Sequence, residues 1–480
     1  MNIISQFNEF ITNNFNNFLK QYFSSTNYLF KSSDFYNYYG FMNALDNFST
    51  SINKDIIIAY FEYIDNIFFN SSYRKNFCTS KGFYERKSFV TMFGEITFKR
   101  RYYYDKTTKE RFFFVDLFFN LPKRKHFDPI VCSNIIDTAS EYSYQKSGKL
   151  IGSKIGNKIE NNYVISRATV RNIVMGFDFE EIEEQRNKQV EKLFIMLDEK
   201  FVSSQFNDNK DHMIKSAIVF ENRTLEYQPL KENSTKRFRL NNSYSLSSID
   251  DDLVMQLTNY VYNTYDTDYL KDIYFMGDCA KWIKNFPKSL WLKFNKDVRN
   301  HFSMDNYHNK QALMRLTTTK HLDFYDALND LIMNNDKELF KEECLKFVEK
   351  NKDRTTTIIN MMEYILNNWD AYQLCQNNPE LKCSMESHIS HNLADLFTSR
   401  PKAFSEKGLR TILKLRMLKI NKKDIKKLYY ESINNINKTK TEEKKYNFRV
   451  MHKLKTNKYD FESETKLPRN YNQLKQIKPI

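Results

Sequence analysis

The chain has 480 residues, too many for one ordinary hydrophobic core, and only nine Gly and eight Pro interrupt it. Lys and Arg total 74 against 59 Asp and Glu, and the net charge of +15 favours a polyanionic partner. The six cysteines include no C-x-x-C pair and show no regular spacing, which favours reduced thiols over a disulfide framework. The composition predicts two to four domains.

No segment of the sequence has the apolar character of a membrane anchor. The first twenty residues are too polar for a signal sequence, and no uninterrupted apolar stretch reaches membrane-spanning length. The phosphate-binding motif G-x-x-x-x-G-K-[ST] is absent, so we expect no nucleotide cofactor. We therefore expect a cytoplasmic protein with no membrane partner.

The N-terminal part of the chain changes from a helical to a strand pattern. The spacing of aromatic residues predicts a helical region over residues 1–80, which we expect to serve self-association. Residues 81–125 then predict a small antiparallel β meander. Its strands are expected at 88–93, 96–104 and 112–118. The basic residues on or after it are Lys99, Arg100, Arg101, Lys123, Arg124 and Lys125. Basic and aromatic groups interleave here, as on a nucleic-acid-binding surface.

Residues 126–185 show a helical pattern that is similar to a helix-turn-helix DNA-binding region. Segment 139–147 forms the first part, and segment 165–174 begins with Ser166, a good N-cap residue. The side chains expected on the exposed, DNA-facing side of the second helix are Arg167, Thr169 and Arg171. Those expected to pack inward are Val170, Ile173 and Val174. An ordinary helical hairpin is the alternative interpretation.

From residue 190 the pattern becomes that of an α/β domain. Apolar runs at 193–197 and 273–277 lack alternation, which is typical of strands covered on both faces. The other predicted elements are strands at 214–220 and 224–227, a helix at 249–262 and a short strand ending at Met304. We expect a catalytic core over 190–310 and 381–430, interrupted by an all-α insertion at 311–380. Residues 431–480 form a basic tail.

Three carboxylates are expected to converge at one rim of the predicted sheet. Asp198 and Asp278 each close an apolar run, and Glu386 lies on a helix at 385–397. Ile389, Leu393 and Phe397 are predicted to share its face. Converging carboxylates repel one another unless divalent cations neutralise them, so the pattern favours a metal-dependent enzyme acting on phosphodiesters. Structural roles, at strand ends or in a cap or salt bridge, are the alternative.

Two further groups of polar residues stand near these acids in sequence. Asp305 and His308 form a D-x-x-H pair at a strand-to-helix junction, where Asp305 acts as a helix cap or assists the handling of DNA. The cluster of Cys383, His388 and His391 offers zinc ligands but lacks the usual second pair.

Short motifs spread over residues 50–416 resemble one known family. The motifs, in order, are Thr91–Phe98, Ser143–Tyr144, Leu197–Asp198, Gly277–Lys284, Asp305–His308, Asn368–Asp370, Ser384–His391 and Ser399–Pro401. Gly277–Lys284 is similar to G-D-G-A-x-W-I-K of the Lre-type insertion-sequence transposases, a family long described as uncharacterised. Cys279 stands where that family usually has Gly, and Phe404 where it usually has Trp.

The resemblance implies a DDE transposase with a ribonuclease-H-like catalytic domain. It implies that Asp198, Asp278 and Glu386 bind two Mg²⁺ or Mn²⁺ ions that assist phosphodiester transfer. The expected partners are double-stranded DNA, as terminal inverted repeats and target, and further copies of the chain in a homo-oligomer. Arg400 is expected to contact DNA.

Two other functions remain open on the sequence alone. One is a catalytically inactive protein that binds element ends and represses, and the other is a structure-selective nuclease. Residues 401–480 carry 22 Lys or Arg against eight Asp or Glu. This segment predicts salt-sensitive DNA binding under every hypothesis.

Overall fold

The structure is a computed structural model that describes residues 12, 13, 16 and 38–433, the last range with gaps. The gaps are 120, 122–124, 157–162, 179–186, 207–210, 228–236, 290–296 and 400–401. The chain divides into two compact units rather than one per predicted segment. The first unit contains Met1–Glu180 and Asp424–Ile480, and the second contains Glu181–Lys423.

The first unit begins with a helix-and-strand layer. Its elements are α1 (Tyr38–Asn70), α2 (Ser72–Phe77), β1 (Cys78–Thr91), β2 (Gly94–Asp105), β3 (Arg111–Phe113) and α3 (Phe114–Phe118). The three strands form an antiparallel sheet in the order β1-β2-β3. The predicted meander is therefore confirmed, but its third strand is wrong beyond Phe113. There Phe114 turns inward, stacking on Phe68 of α1 with ring centroids 4.0 Å apart, and the chain becomes helical.

Three short helices follow in the first unit. They are α4 (Pro129–Ala139), α5 (Tyr144–Gly152) and α6 (Arg167–Met175). Each begins with a side-chain cap, supplied by Asp128, Ser143 and Ser166 respectively. The predicted N-cap at Ser166 is thus confirmed. Residues 425–433, also in this unit, are helical.

The second unit is built on a five-stranded sheet. Its elements up to the sheet's last strand are β4 (Lys192–Val202), β5 (His212–Phe220), β6 (Asn222–Tyr227), β7 (Arg237–Asn241), β8 (Tyr244–Ser248), α7 (Leu253–Thr264), β9 (Asp272–Gly277), α8 (Lys281–Asn285) and β10 (Arg299–Met304). The order across the sheet is β10-β9-β4-β5-β8, and β6 pairs only with β7. Strands β10, β9 and β4 are parallel, whereas β5 is antiparallel to both β4 and β8.

Apolar residues cover both faces of this sheet, as the two runs without alternation predicted. On one face Leu193, Ile195 and Leu197 pack into a core with Leu257 and Val261 of α7. On the other face Phe194 stacks between Phe220 and Tyr274. The prediction that β4 ends at residue 197 is wrong, because the strand continues to Val202 through its antiparallel pairing with β5.

Helices complete the second unit. They are α9 (Asn306–Thr317), α10 (Leu322–Met333), α11 (Lys337–Lys350), α12 (Thr355–Leu366), α13 (Trp369–Asn377), α14 (Met385–Ile389), α15 (Asp395–Phe397) and α16 (Glu406–Ile420). Helices α9 to α13 share a core of their own, which includes Trp369. A single π-helical turn, Ser390–Ala394, joins α14 to α15. No helix in the described residues is both long and apolar enough to cross a bilayer.

Candidate active site

Asp198 and Asp278 lie at the same level on neighbouring parallel strands. Met196 of β4 is the register partner of Met276 of β9, and each aspartate follows its methionine by two residues. Parallel neighbours are about 4.8 Å apart, so the register places the two carboxylates side by side. A Cβ on Gly277 would lie 2.7 Å from the Leu197 carbonyl oxygen, so only glycine permits this approach.

Asp305 extends this acidic row to a third strand. Met304 of β10 is the partner of Gly277, and the Asp305 N–H donates to the Gly277 carbonyl oxygen at 2.8 Å. The Asp305 Oδ1 accepts from the Tyr307 N–H at 3.0 Å and caps α9, as predicted. Its neighbour His308 lies in the first turn of that helix.

Glu386 approaches the same face of the sheet from α14. Ser384, the residue before this helix, donates to the Met196 Sδ from its N–H at 3.4 Å and from its Oγ at 3.6 Å. Side chains alternate along a strand, so Met196 and Asp198 share this face. The prediction that Glu386 lies on the apolar stripe is wrong: Met385, Ile389 and Leu393 are buried, and Glu386 is exposed. The apolar stripe is offset by one residue, and the carboxylate faces solvent.

The acidic residues influence one another electrostatically. The pKa of Asp198 is raised to about 6, mainly by burial and also by the charges of Asp278 and Glu386, against a hydrogen bond from the Glu199 N–H and the charge of His308. Burial is also the main cause that raises the pKa of Asp305. There the Asp278 and Glu386 charges again act in the same direction.

The donor chemistry of this cluster suits a hard divalent cation. Carboxylate oxygens are the ligands that Mg²⁺ and Mn²⁺ prefer, and mutual repulsion is what a cation would relieve. In the described part of the chain, however, no three His, Cys, Asp or Glu side chains lie close enough together to hold one ion. Cation binding would require the carboxylates to turn toward one another. The same finding applies to the zinc cluster considered at Cys383, His388 and His391.

The turn after β9 is held by residues of the helical insertion, which the sequence did not single out. Tyr364 of α12 hydrogen-bonds Cys279, the residue after Asp278, and burial raises the pKa of that thiol to about 11. The Lys284 Nζ donates to the Asn368 Oδ1 at 2.7 Å, and the Asn368 Nδ2 donates to the Tyr364 carbonyl oxygen at 2.6 Å. The only signal was that Asn368 belongs to one of the quoted motifs.

Two of the three residues predicted on the exposed side of α6 lie where the sequence placed them. Arg167 and Arg171 are exposed, Thr169 is half-buried beside its cap, and Val170 and Val174 are fully buried. Ile173 is half-buried.

The prediction for the β2 arginines is wrong. Both arginines are buried and ion-paired. Arg100 pairs with Asp116, and the Arg101 Nη1 lies 2.8 Å from the Asp65 Oδ2, so neither side chain is available to nucleic acid. Of the three basic residues on β2, only Lys99 is exposed. Lys123, Arg124 and Arg400 lie outside the described residues, as do most of residues 1–37 and the tail after residue 433.

The fold and the site thus define a class of protein: one with a mixed α/β unit that carries a row of acidic residues at one edge of its sheet. The chain belongs to the family UPF0236, described as an uncharacterised protein family, whose profile matches residues 38–433. It is similar to UPF0236 protein TTE2489 of Caldanaerobacter subterraneus subsp. tengcongensis, with 26% identity over 398 residues, covering 80% of this chain and 79% of that protein. UPF0236 protein TTE0402 of the same organism is also 26% identical, covering 80% and 74%.

Proposed function

We propose that the chain is a DNA transposase that cleaves at insertion-sequence ends and joins the 3′ ends to target DNA by phosphodiester transfer. The observation that carries the proposal is the level placement of Asp198 and Asp278 on adjacent parallel strands, with Glu386 close enough to raise the pKa of Asp198. These are the three residues that the resemblance assigned to catalysis.

The topology of the sheet supports a ribonuclease-H-like core. Numbered in chain order, the five strands β4, β5, β8, β9 and β10 follow the order 3-2-1-4-5, and only the second is antiparallel to the others. That arrangement is the one expected of ribonuclease-H-like domains. Asp198 lies on the first of these strands and Asp278 follows the fourth, so both reach the same edge. The regular structure of residues 311–380, predicted from the sequence as an all-α insertion, consists of helices.

The chain's own residues would act on a phosphodiester in distinct ways. Asp198, Asp278 and Glu386 would hold Mg²⁺ or Mn²⁺, which supplies activation of an attacking hydroxyl and stabilisation of the leaving oxygen when bound. Asp305 fixes the start of α9 and hence the position of His308. Tyr364 and Asn368 hold the backbone behind Asp278 and so limit its motion.

The first unit supplies features that suit recognition of element ends. Helix α6 presents Arg167 and Arg171 to solvent, and cations at the exposed start of such a helix contact DNA phosphates or bases. Action on paired ends makes a homo-oligomer part of the proposal.

The test is cleavage by the purified full chain of DNA that carries the sequences flanking its own gene, with Mg²⁺ present. We expect Asp198→Asn, Asp278→Asn and Glu386→Gln to lower the cleavage rate at least about a thousandfold while DNA binding is retained. Asp326→Asn and Glu349→Gln are the matched controls, because both carboxylates are exposed on insertion helices that carry none of the acidic residues of the site. Full cleavage by Asp278→Asn would reject the proposal.

The same assay separates the other two functions. Binding to the ends without cleavage by the unmodified chain indicates an end-binding repressor. Cleavage that ignores the end sequence and follows DNA structure indicates a nuclease.

A further inference from the structure

The hairpin of β6 and β7 is a two-stranded sheet of its own, and one of its faces carries exposed apolar side chains. Leu225 and Phe238 are register partners on this hairpin, and each is 47% exposed. An isolated two-stranded hairpin is marginally stable in water, and two opposed apolar side chains on its surface favour contact with a ligand. The opposite face is polar. There the Asn222 Oδ1 accepts a hydrogen bond from the Asn241 Nδ2.

Arg223 lies on the same hairpin face as Leu225, two residues earlier, and reaches the acidic site's side of the sheet. Its Nη2 lies 3.7 Å from the Met196 Sδ, the atom that Ser384 also contacts. The guanidinium also lies over the Phe220 ring, 5.1 Å from its centroid. Arg223 and the residue before the Glu386 helix therefore meet at Met196 of β4, the strand that carries Asp198.

The Glu380 charge acts on the Arg223 guanidinium but forms no ion pair with it. The Arg223 Nε is buried without a hydrogen-bond partner, and within the described ranges no carboxylate forms an ion pair with it. A half-buried cation without an ion-pair partner is costly, and burial lowers the pKa of this group. A guanidinium presents N–H donors in a fixed fork that matches a phosphate.

We propose that this face of the hairpin binds an unpaired stretch of the DNA strand next to the acidic site. Arg223 binds a backbone phosphate, and Leu225 and Phe238 pack against the adjacent bases, with Phe238 stacking on one of them. Charge supports this occupant, because the cationic Arg223 lies on the same hairpin face as Leu225 and Phe238 and has no carboxylate ion pair among the described residues. Aromatic and apolar side chains beside a cationic group are the usual surface for unpaired bases. The inference rests on the proposed function only in that the bound strand is the one to be cleaved.

The test measures DNA binding by the full chain carrying Asp278→Asn, so that cleavage does not interfere. The probes are a duplex with a short single-stranded extension, labelled with 2-aminopurine at the junction, and the matching blunt duplex. We expect Arg223→Gln to weaken binding of the extended probe about tenfold, as for loss of one charge-assisted contact, and to reduce the salt dependence by about one ion. We expect Phe238→Ala to abolish the 2-aminopurine fluorescence change and to leave the salt dependence unaltered.

Three controls isolate the proposed face. Arg239→Gln removes a cation from the opposite face of the hairpin, and Leu345→Ala removes an apolar residue of similar exposure on α11; both should bind like the parent. Arg223→Lys keeps the charge and should recover part of the affinity. Partial recovery by Arg223→Lys indicates loss of the phosphate contact rather than misfolding. The melting temperature of each variant tests for misfolding directly.

The outcomes separate this inference from the proposed function. Wild-type cleavage together with parental binding by Arg223→Gln and Phe238→Ala overturns the inference and leaves the transposase proposal standing. Weakened binding by both variants of a chain that never cleaves supports the inference and removes the proposed function. Equal losses on the blunt and extended probes overturn the choice of an unpaired strand.

Discussion

Asp198 and Asp278 are neighbours across the β4–β9 pairing. Met196 and Met276 are register partners on these strands, and each aspartate follows its methionine by two residues. Because three adjacent parallel strands end their pairing at this level, Asp305 joins the same row. The row is partly buried, and burial together with the neighbouring charges raises the pKa of Asp198 and of Asp305, which is more typical of a functional site than of a structural one.

The raised pKa of Asp198 predicts a gain in stability when its charge is removed. This pKa is raised from 3.8 to about 6, mainly by burial, so the folded protein binds the Asp198 proton more tightly than the unfolded chain does. The stability that this proton contributes is complete below pH 3.8 and is lost as the pH rises through about 6. We expect Asp198→Asn to raise the melting temperature at pH 7.5 without divalent ions, and to have little effect at pH 3.5. Asp250→Asn is the control of opposite sign, because hydrogen bonds from Arg410 lower the pKa of Asp250. A lower melting temperature for Asp198→Asn at pH 7.5 would contradict the prediction.

The contact between Lys284 and Asn368 predicts that the helical insertion positions Asp278. We expect Asn368→Ala to lower the cleavage rate about tenfold or more while the affinity for DNA stays the same, since the turn behind Asp278 loses its support. Lys281→Ala serves as the control, because Lys281 is an exposed lysine on α8, the short helix that also carries Lys284. An unchanged rate in Asn368→Ala, or a matching loss in Lys281→Ala, would count against this role.

The buried ion pair of Arg101 and Asp65 predicts a structural role for this arginine. We expect Arg101→Ala to lower the free energy of unfolding by about 3–5 kcal/mol, because it leaves the Asp65 carboxylate buried without its partner. Lys99→Ala, two residues earlier and exposed, should change it by less than about 0.5 kcal/mol. Chemical denaturation measures both, and similar stability of the two variants would show that the pair is not needed.

Backbone carbonyl groups of the segment before α6 lie close to Gly148 and Gly152 of α5, so larger residues at these two positions should destabilise the protein. A Cβ on Gly148 would lie 2.4 Å from the Ile165 carbonyl oxygen, and one on Gly152 would lie 2.1 Å from that of Tyr163. We expect Gly148→Ala and Gly152→Ala each to destabilise the first unit by about 1–3 kcal/mol, as for overpacking against backbone. Gly40→Ala is the control, since no atom lies within 4 Å of its added Cβ. Thermal unfolding of the three variants decides the matter.

The exposure of Arg167 and Arg171 predicts a measurable electrostatic contribution to DNA binding. We expect each substitution to alanine to weaken binding and to lower the salt dependence by about one ion, because one phosphate contact is lost. Lys75→Ala, an exposed lysine on α2, should leave both quantities unchanged. Titration at several salt concentrations supplies the measurement, and equal slopes for all three variants would rule out α6 as a DNA contact.

Local patterns in the sequence predicted most of the elements that carry the site. The apolar runs before Asp198 and Asp278 predicted buried strands, and the Ser166 and Asp305 caps predicted the starts of two helices, because these features depend on residues close in the chain. The strands β7 and β8 were not predicted, because each alternates polar and apolar residues over only five positions, a run too short to be distinguished from a loop.

The sequence by itself determined which residues are acidic, which segments are apolar and where helices begin. Only the tertiary structure decided that Arg100 and Arg101 are buried by Asp116 and Asp65, that Glu386 is exposed, and that Arg223 meets Met196. The physical reason is that strand register and ion pairing depend on partners distant in the chain, so no local pattern specifies which charge is neutralised and which is left for a ligand.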